Sequence, residues 1–366
     1  MHVLLVEPDY YARLPPLGLL KLSTYHRSRG DTVSLVRGCE LIPFRPDLIY
    51  VTSLFTWAWR PVWRAVRYYK RLFPNVKVLL GGLYASLMPE HASLSGADGV
   101  FRGVVEEVED LIPDYSLLES SRHWRGWDGS IIFSSRGCNR RCPFCAVWRV
   151  EGSINSEKRS IKHLIYQKHT KIIFLDNNFL QSKYWRDICD ELESIGKWVD
   201  FNQGLDARLI TDEVAERLSR LKLSSGRGVK VRLGYDSTSM KPYVGKAIER
   251  LKAAGIKGRK IMVYVLFNYS DDPEDFFSRV RDVLNWGATA YPMRYEPLDA
   301  LEKNVYISPK WTPEEVDMVQ RARRVIGYGG AFPPHGGLLW KFNNARDFHE
   351  AFKLRPPRKG VKSGDS

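Results

Sequence analysis

KIIFLDNNFLQSKYWRDICDELESIGKWVDFNQG, residues 171–204, decides the fold. KIIFLDN (171–177) opens with successive apolar residues, a helical period follows over 184–195, and WVDFNQG (198–204) begins a second extended run. A strand that is apolar at consecutive positions needs cover on both faces. A strand–helix–strand unit of this length pairs its strands in parallel through a right-handed crossover.

The same step recurs on both sides. IIFSS (131–135) leads into a cysteine-bearing loop and a helix expected near 157–169. Downstream, helices are expected at 212–222, after VKVRLGYDS (229–237) at 241–254, and after KIMVYVLFN (260–268) at 274–286, with ATAYPMRYEPL (288–298) closing the series. Six such steps predict a partial (β/α)6 barrel of TIM type, with its chemistry at the C-terminal strand ends. One helix start is legible in detail: Asp272 caps, Pro273 takes the first helical position, and Glu274 and Asp275 face the positive helix end.

Upstream, HVLLVEP (2–8), DTVSLVRG (31–38), DLIYVTSLF (47–55) and NVKVLLGG (75–82) alternate with helical patterns at 16–30 and 60–73. This is the signature of a doubly wound, Rossmann-like parallel sheet, so the fold class is α/β throughout. Gly81-Gly82 ends a buried strand, as a turn or as a place where a ligand approaches the backbone. Residues 104–130 lack a period. The expected organisation is a first domain over 1–110, a linker over 111–130, the barrel over 131–298, and a C-terminal extension over 299–366. The extension carries a helix from Thr312-Pro313 to about Gly327 and a mobile tail, KLRPPRKGVKSGDS (353–366).

Composition narrows the class. The 366 residues are 44% hydrophobic and carry 56 Lys and Arg against 42 Asp and Glu, a formal charge of +14. That surplus suits RNA or another polyanion, or a solvated basic surface. No apolar run approaches a membrane span and the first residues lack a secretion-signal layout, so a cytoplasmic protein is expected. The five cysteines do not suggest a disulfide framework.

Three of those cysteines fall within eight residues, SSRGCNRRCPFCAVWRVEG (134–152), at Cys138, Cys142 and Cys145. Structural zinc takes four Cys or His ligands, usually as two pairs, and here only Cys142 and Cys145 make a C-x2-C. An iron-sulfur cube with three thiolates keeps one iron open. The spacing C-x3-C-x2-C after the first barrel strand, with an aromatic before the last cysteine, resembles the radical SAM family.

That resemblance, over about residues 131–298, implies an enzyme holding a 4Fe-4S cluster on Cys138, Cys142 and Cys145. It implies S-adenosylmethionine chelating the open iron by its amine and carboxylate, and Phe144 near the adenine or shielding the cluster. Reductive cleavage would yield methionine and a 5′-deoxyadenosyl radical that abstracts hydrogen, with an electron donor of flavodoxin or ferredoxin type. The family's Gly-Gly-Glu after the second strand is replaced here by Leu175-Asp176-Asn177-Asn178, so Asp176 or Asn177 is the expected acceptor for the amine. Gln203 and Arg208 in FNQGLDARL are assigned to the ribose or carboxylate. Arg232 is either a cofactor ligand or the partner of Asp236, and Arg294 and Glu296 are placed for substrate.

Residues 1–105 resemble the cobalamin-binding-type domain that precedes this barrel in many radical SAM proteins. The Asp-x-His-x-x-Gly element is absent, since EPDYYARLPPLG (7–18) follows the first strand. Cobalamin is therefore an allowed cofactor that the sequence does not favour. Only Cys39 is available in this domain for a second cluster, against the three cysteines that methylthiotransferases carry there. Basic groups gather at His26-Arg27-Ser28-Arg29, at Arg136, Arg140 and Arg141, and at Arg321, Arg323 and Arg324. Trp59 and Trp63, four apart, suit inward packing better than base stacking. The functional expectation is a radical SAM enzyme acting on RNA or a phosphorylated metabolite. The alternatives are a cobalamin-dependent methyltransferase of the same architecture and a nucleic-acid-binding protein with a structural cluster.

Overall fold

The computed structural model describes residues 1–224, 228–326 and 329–354. It divides into two compact units, Met1–Arg232 with Glu296–Tyr306, and Leu233–Tyr295 with the residues from Ile307 on. Gly327 and most of the C-terminal tail lie outside the described residues.

The first unit begins with β1 (His2–Glu7), β2 (Thr32–Arg37), β3 (Leu48–Ser53), β4 (Lys77–Gly82) and β5 (Gly99–Val100). They form one sheet in the order β2-β1-β3-β4-β5, every pair parallel. Alternate side chains of β1 serve opposite faces, as the pleat requires. Leu4 and Val6 pack with Val62, Ala65, Val66 and Tyr69 of the helix Trp59–Leu72, while Val3 and Leu5 pack with Leu19 and Leu20 of the helix Leu17–Ser28. This is the doubly wound arrangement expected from the apolar runs.

The stretch read as a linker does more than connect. Tyr115, Leu117, Leu118 and Trp124 complete the Val3–Leu5 face of the core. The Tyr115 hydroxyl also accepts the Ile131 N–H at 2.7 Å, so the segment that closes the first sheet holds the next strand. Its aromatics lack a period because they serve an irregular, buried segment.

All six downstream strands are present: β6 (Gly129–Ile132), β7 (Lys171–Phe174), β8 (Trp198–Phe201), β9 (Val231–Tyr235), β10 (Ile261–Phe267) and β11 (Thr289–Arg294). Among the described residues their pairing gives two three-stranded sheets, β6-β7-β8 and β11-β10-β9. The pairs β6–β7, β7–β8 and β10–β11 are parallel. The free edge of β8 is taken by the chain after the next helix: Val199 N–H donates to Lys222 O and Ser224 N–H to Val199 O, each at 3.0 Å.

Helices fall at Trp185–Ile195, Asp212–Arg220, Lys241–Ala253, Pro273–Asn285 and Pro313–Val325, close to their expected places. The helix expected at 157–169 is the exception, reduced to a single turn at Lys162–Leu164. Its backbone is engaged elsewhere. Lys158 N–H donates to Ser134 O at 2.8 Å and Ile161 N–H to Glu191 at 2.8 Å. In the second unit the cap at Asp272 forms as read, its carboxylate accepting the Asp275 N–H at 2.9 Å. The buried Arg279 there bonds Asp271 and the Tyr235 and Leu266 carbonyls. No helix among the described residues is long and apolar enough to cross a membrane.

Gly82 packs closely against its neighbour strand. It sits at φ 102° and ψ −172°, and a Cβ there would lie 2.1 Å from the Ser53 carbonyl oxygen. Gly82→Ala should destabilise the protein by about 2 kcal/mol or more. Gly81→Ala, whose Cβ meets nothing closer than Phe101 at 3.9 Å, should be tolerated. Parallel thermal melts of the two variants check this.

Candidate functional site

Strand β6 stops at Ile132, and the chain turns into the cysteine loop with N–H groups that no neighbouring strand takes. Asp176, two residues past β7, takes them. Its Oδ1 accepts from Ser134 Oγ at 2.5 Å, Ser135 N at 2.7 Å and Ser135 Oγ at 2.9 Å, and its Oδ2 accepts from Ser134 N at 2.9 Å. Burial pushes this carboxyl's pKa up, against the four hydrogen bonds that favour its charged form. Asp176, expected as an acceptor for the cofactor amine, thus spends three contacts of one oxygen and one of the other on the loop.

The next turn depends on a glycine. Gly137 has φ 73°, and a Cβ on it would lie 2.1 Å from Ser153 O, so the returning strand of the loop closes against bare backbone. Arg136 and Asn155 exchange backbone hydrogen bonds at 2.9 Å, and Cys138 N–H donates to Gly152 O at 3.1 Å. Glu151 fastens the same turn from its other side. It accepts Gly137 N–H at 3.0 Å and Asn177 Nδ2 at 2.8 Å with one oxygen, and Arg136 at 3.2 Å with the other.

Arg136 carries the connection further. Its guanidinium grips both oxygens of Glu109 at 2.6 and 2.7 Å and lies over the Phe133 ring, 3.3 Å from the centroid. Glu109 also takes Lys21 Nζ at 3.0 Å. Burial alone would raise the Glu109 carboxyl, but Arg136 and Lys21 outweigh it and hold its pKa down at about 2. Lys21 belongs to the first sheet's helix, so one ion chain runs from that sheet to the residue two before Cys138.

Cys138 is buried, while Cys142 and Cys145 are half-buried. The Cys138 sulfur accepts from Arg140 N at 3.4 Å and Asn178 Nδ2 at 3.6 Å. Cys142 and Cys145 close a tight turn through Cys145 N–H to Cys142 O at 3.0 Å, and Trp148 Nε1 donates to the same carbonyl at 3.0 Å. Among the described residues no three His, Cys, Asp or Glu side chains converge on the position of a single metal ion. Phe144 lies half-buried between these two cysteines.

Asp206, just past β8, gathers the opposing charges. It accepts Arg208 Nε at 2.7 Å, Arg140 Nε at 3.0 Å and Asn178 Nδ2 at 3.3 Å. Burial opposes its charge, but the two guanidiniums prevail and hold its carboxyl below the usual range. Arg208, expected as a cofactor contact, is thus bound to Asp206, and Gln203 is exposed at the end of β8. Arg232 pairs with Asp200 of β8 and donates to Phe201 O at 3.1 Å, so the expected Asp236 partner is corrected to Asp200. Glu296 accepts the Asn304 N–H at 3.1 Å.

Much of the basic surface proves to be paired. Arg27 meets Asp114, His26 meets Asp31 and Arg321 meets Asp317, while Arg323 donates to the Tyr291 hydroxyl. Arg141 is exposed beside the cysteine loop. Two cavities flank the Glu109–Arg136–Glu151 chain. One, of about 630 Å³, is lined by Tyr50, Thr52, Gly81 and Gly82 at the strand ends of the first sheet; its lining residues include no histidine. The other, of about 890 Å³, is lined by polar residues of 104–110 and 150–163.

No family model matches this chain, and no curated protein matches it. Among solved structures it is similar to coproporphyrinogen III oxidase (HemN) from Escherichia coli, titled a radical SAM enzyme. The likeness is 10% in identity, with a TM-score of 0.36, over 58% of this chain. The chain spans 57%, little more than half, of that enzyme's length.

Two outcomes follow from this geometry. Asp176→Asn, which loses acceptor capacity in a sealed site, should cost about 3 kcal/mol and expose residues 136–160 to limited proteolysis. Glu109 has its folded pKa below its ordinary 4.5, so its stabilising effect is complete above pH 4.5 and is lost as pH falls toward 2. The stability difference between wild type and Glu109→Gln should therefore be level above pH 4.5 and shrink below it in denaturant titrations.

Proposed function

We propose that the chain is a radical SAM enzyme, with Cys138, Cys142 and Cys145 holding a 4Fe-4S cluster. The observation that carries this reading is the cysteine loop itself. A C-x3-C-x2-C run leaves the C-terminal end of the first strand of a β/α series, with one sulfur buried and accepting two N–H donors. The donor set fits such a cluster. Hydrogen bonds to ligand sulfur are a recognised means of tuning it, and a cube spreads its thiolates over several irons, whereas zinc needs its ligands to converge on one point. When bound, the cluster and S-adenosylmethionine supply an electron and a 5′-deoxyadenosyl radical for hydrogen abstraction.

The protein's share is to hold and shield. Asp176 and Glu151 keep the loop's backbone satisfied, Phe144 covers the turn between the last two cysteines, and Arg140 with Arg208 leaves the mouth one positive charge in excess of Asp206. That charge, the exposed Arg141 and the overall +14 support a phosphate-bearing substrate, an RNA nucleoside or a phosphorylated metabolite, and an acidic electron donor of flavodoxin or ferredoxin type.

A cobalamin-dependent variant rests on a different observation, the 630 Å³ cavity at the strand ends of the first sheet. A corrinoid there would have to bind without a histidine from the cavity wall. Corrinoid co-purifying from a cobalamin-fed culture would support this second reading.

Anaerobically reconstituted protein given dithionite and S-adenosylmethionine should form 5′-deoxyadenosine, and serine at Cys138, Cys142 or Cys145 should reduce it to background. A protein that keeps its cluster but makes none would be a structural-cluster binder instead.

A further inference from the structure

We propose that an exposed row of arginines on the helix Trp59–Leu72 is a docking surface for the phosphate backbone of an RNA strand. This rests on the reading of a phosphate-bearing substrate and decides it for RNA over a metabolite. The helix reads WRPVWRAVRYYKRL and holds no Asp or Glu. Arg60, Arg64, Arg67 and Arg71 stand four, three and four residues apart, so around the helix axis they fall within an arc of about 60°. All four are exposed. Val62, Ala65, Val66 and Tyr69 take the opposite side and are buried against the first sheet.

The row is costly to the helix that carries it. Its members are like charges at i,i+3 and i,i+4, which repel, and Arg60 sits in the first turn against the positive end of the helix dipole. The rest of the chain gives little relief. Lys70, outside the row, is neutralised by both oxygens of Asp98 at 2.8 and 2.9 Å, whereas Arg64 and Arg71 have no ion pair or hydrogen bond among the described residues. Arg67 donates to the Leu94 carbonyl at 3.4 Å, and Arg60 meets Glu302 in an exposed pair, which adds little. The Arg60 and Arg67 guanidiniums lie over the Trp59 and Trp63 rings, 4.8 and 4.7 Å from the centroids. Those indoles are tied in turn, donating to Leu301 O at 3.1 Å and to the Tyr84 hydroxyl at 3.0 Å. Two of the four charges are therefore held in place before a partner arrives.

The length of the row selects the partner. From Arg60 to Arg71 the helix rises about 16 Å, and a nucleic-acid strand sets on the order of five phosphates along that distance. A phosphorylated metabolite fills one position of such a row, whereas a polymer meets all of it, and the planar arginine fork suits phosphate. A lipid surface fits less well, because amphipathic helices enter it by their apolar face, and here that face is in the core. Charge repeated at every residue of a strand also matches a straight row better than the scattered carboxylates of an acidic protein.

The test is fluorescence anisotropy of a labelled single-stranded RNA of mixed sequence, titrated at several salt concentrations, with 5′-deoxyadenosine formation measured on the same preparations. Arg64→Ala combined with Arg71→Ala should weaken binding about tenfold or more at low salt and make the slope of log K against log salt shallower by about 1.4. Its thermal melt should lie no lower than that of wild type, since alanine removes repulsion and suits a helix. The control, Lys168→Ala combined with Lys257→Ala, removes the same charge at exposed positions elsewhere and should bind nearly as wild type. Equal losses in the two pairs, or none in the first, would overturn the docking surface. Duplex DNA, polyglutamate or phosphatidylserine vesicles held more tightly than the RNA would overturn its occupant. Each of these failures leaves 5′-deoxyadenosine formation intact, whereas a wild type that binds RNA and forms none would overturn the enzyme reading and leave the surface standing.

Discussion

A carboxylate sealed beneath a loop is the constraint on which the site depends. Where β6 ends, two consecutive serines point N–H and O–H groups inward with no strand to receive them. Unpaired, each buried donor would cost about 1–3 kcal/mol, enough together to melt the turn. Asp176 answers all four from the neighbouring strand's end. The cysteine loop is therefore anchored to the sheet by hydrogen bonds before any ligand is considered, and Cys138 starts from a fixed point.

From that anchor the loop is tied outward by charge. Lys21, Glu109, Arg136 and Glu151 form a partly buried chain in which Glu109 meets both Lys21 and Arg136, and Arg136 meets both Glu109 and Glu151. Such ion pairs add little net stability over well-packed apolar side chains, yet removing one member strands a buried charge and is costly. Their effect is on position. The chain sets where residue 136 lies relative to the first sheet's helix, and Gly137 allows the returning backbone to close on it.

The order of strands and helices was legible because it rests on apolar runs and helical period, and the Asp272 cap because it rests on three adjacent residues. What escaped the sequence depends on contacts across long separations. Nothing in the sequence pairs Glu109 with Arg136, or directs Arg232 to Asp200 rather than Asp236. The missing helix at 157–169 had the right composition, but Glu191 and Ser134 claim its backbone. At the site the three cysteines, Arg208 and Asp176 were visible, but not that Asp176 anchors the loop's serines. Asn178 was passed over beside it, since only packing reveals which of three adjacent polar side chains reaches the Cys138 sulfur.

The account predicts one composition above all. Anaerobic reconstitution followed by iron and acid-labile sulfide analysis should return about four of each per chain, in keeping with a cube on three thiolates. Zinc without sulfide, or an iron-sulfur content unchanged when the three cysteines are replaced together, would contradict it.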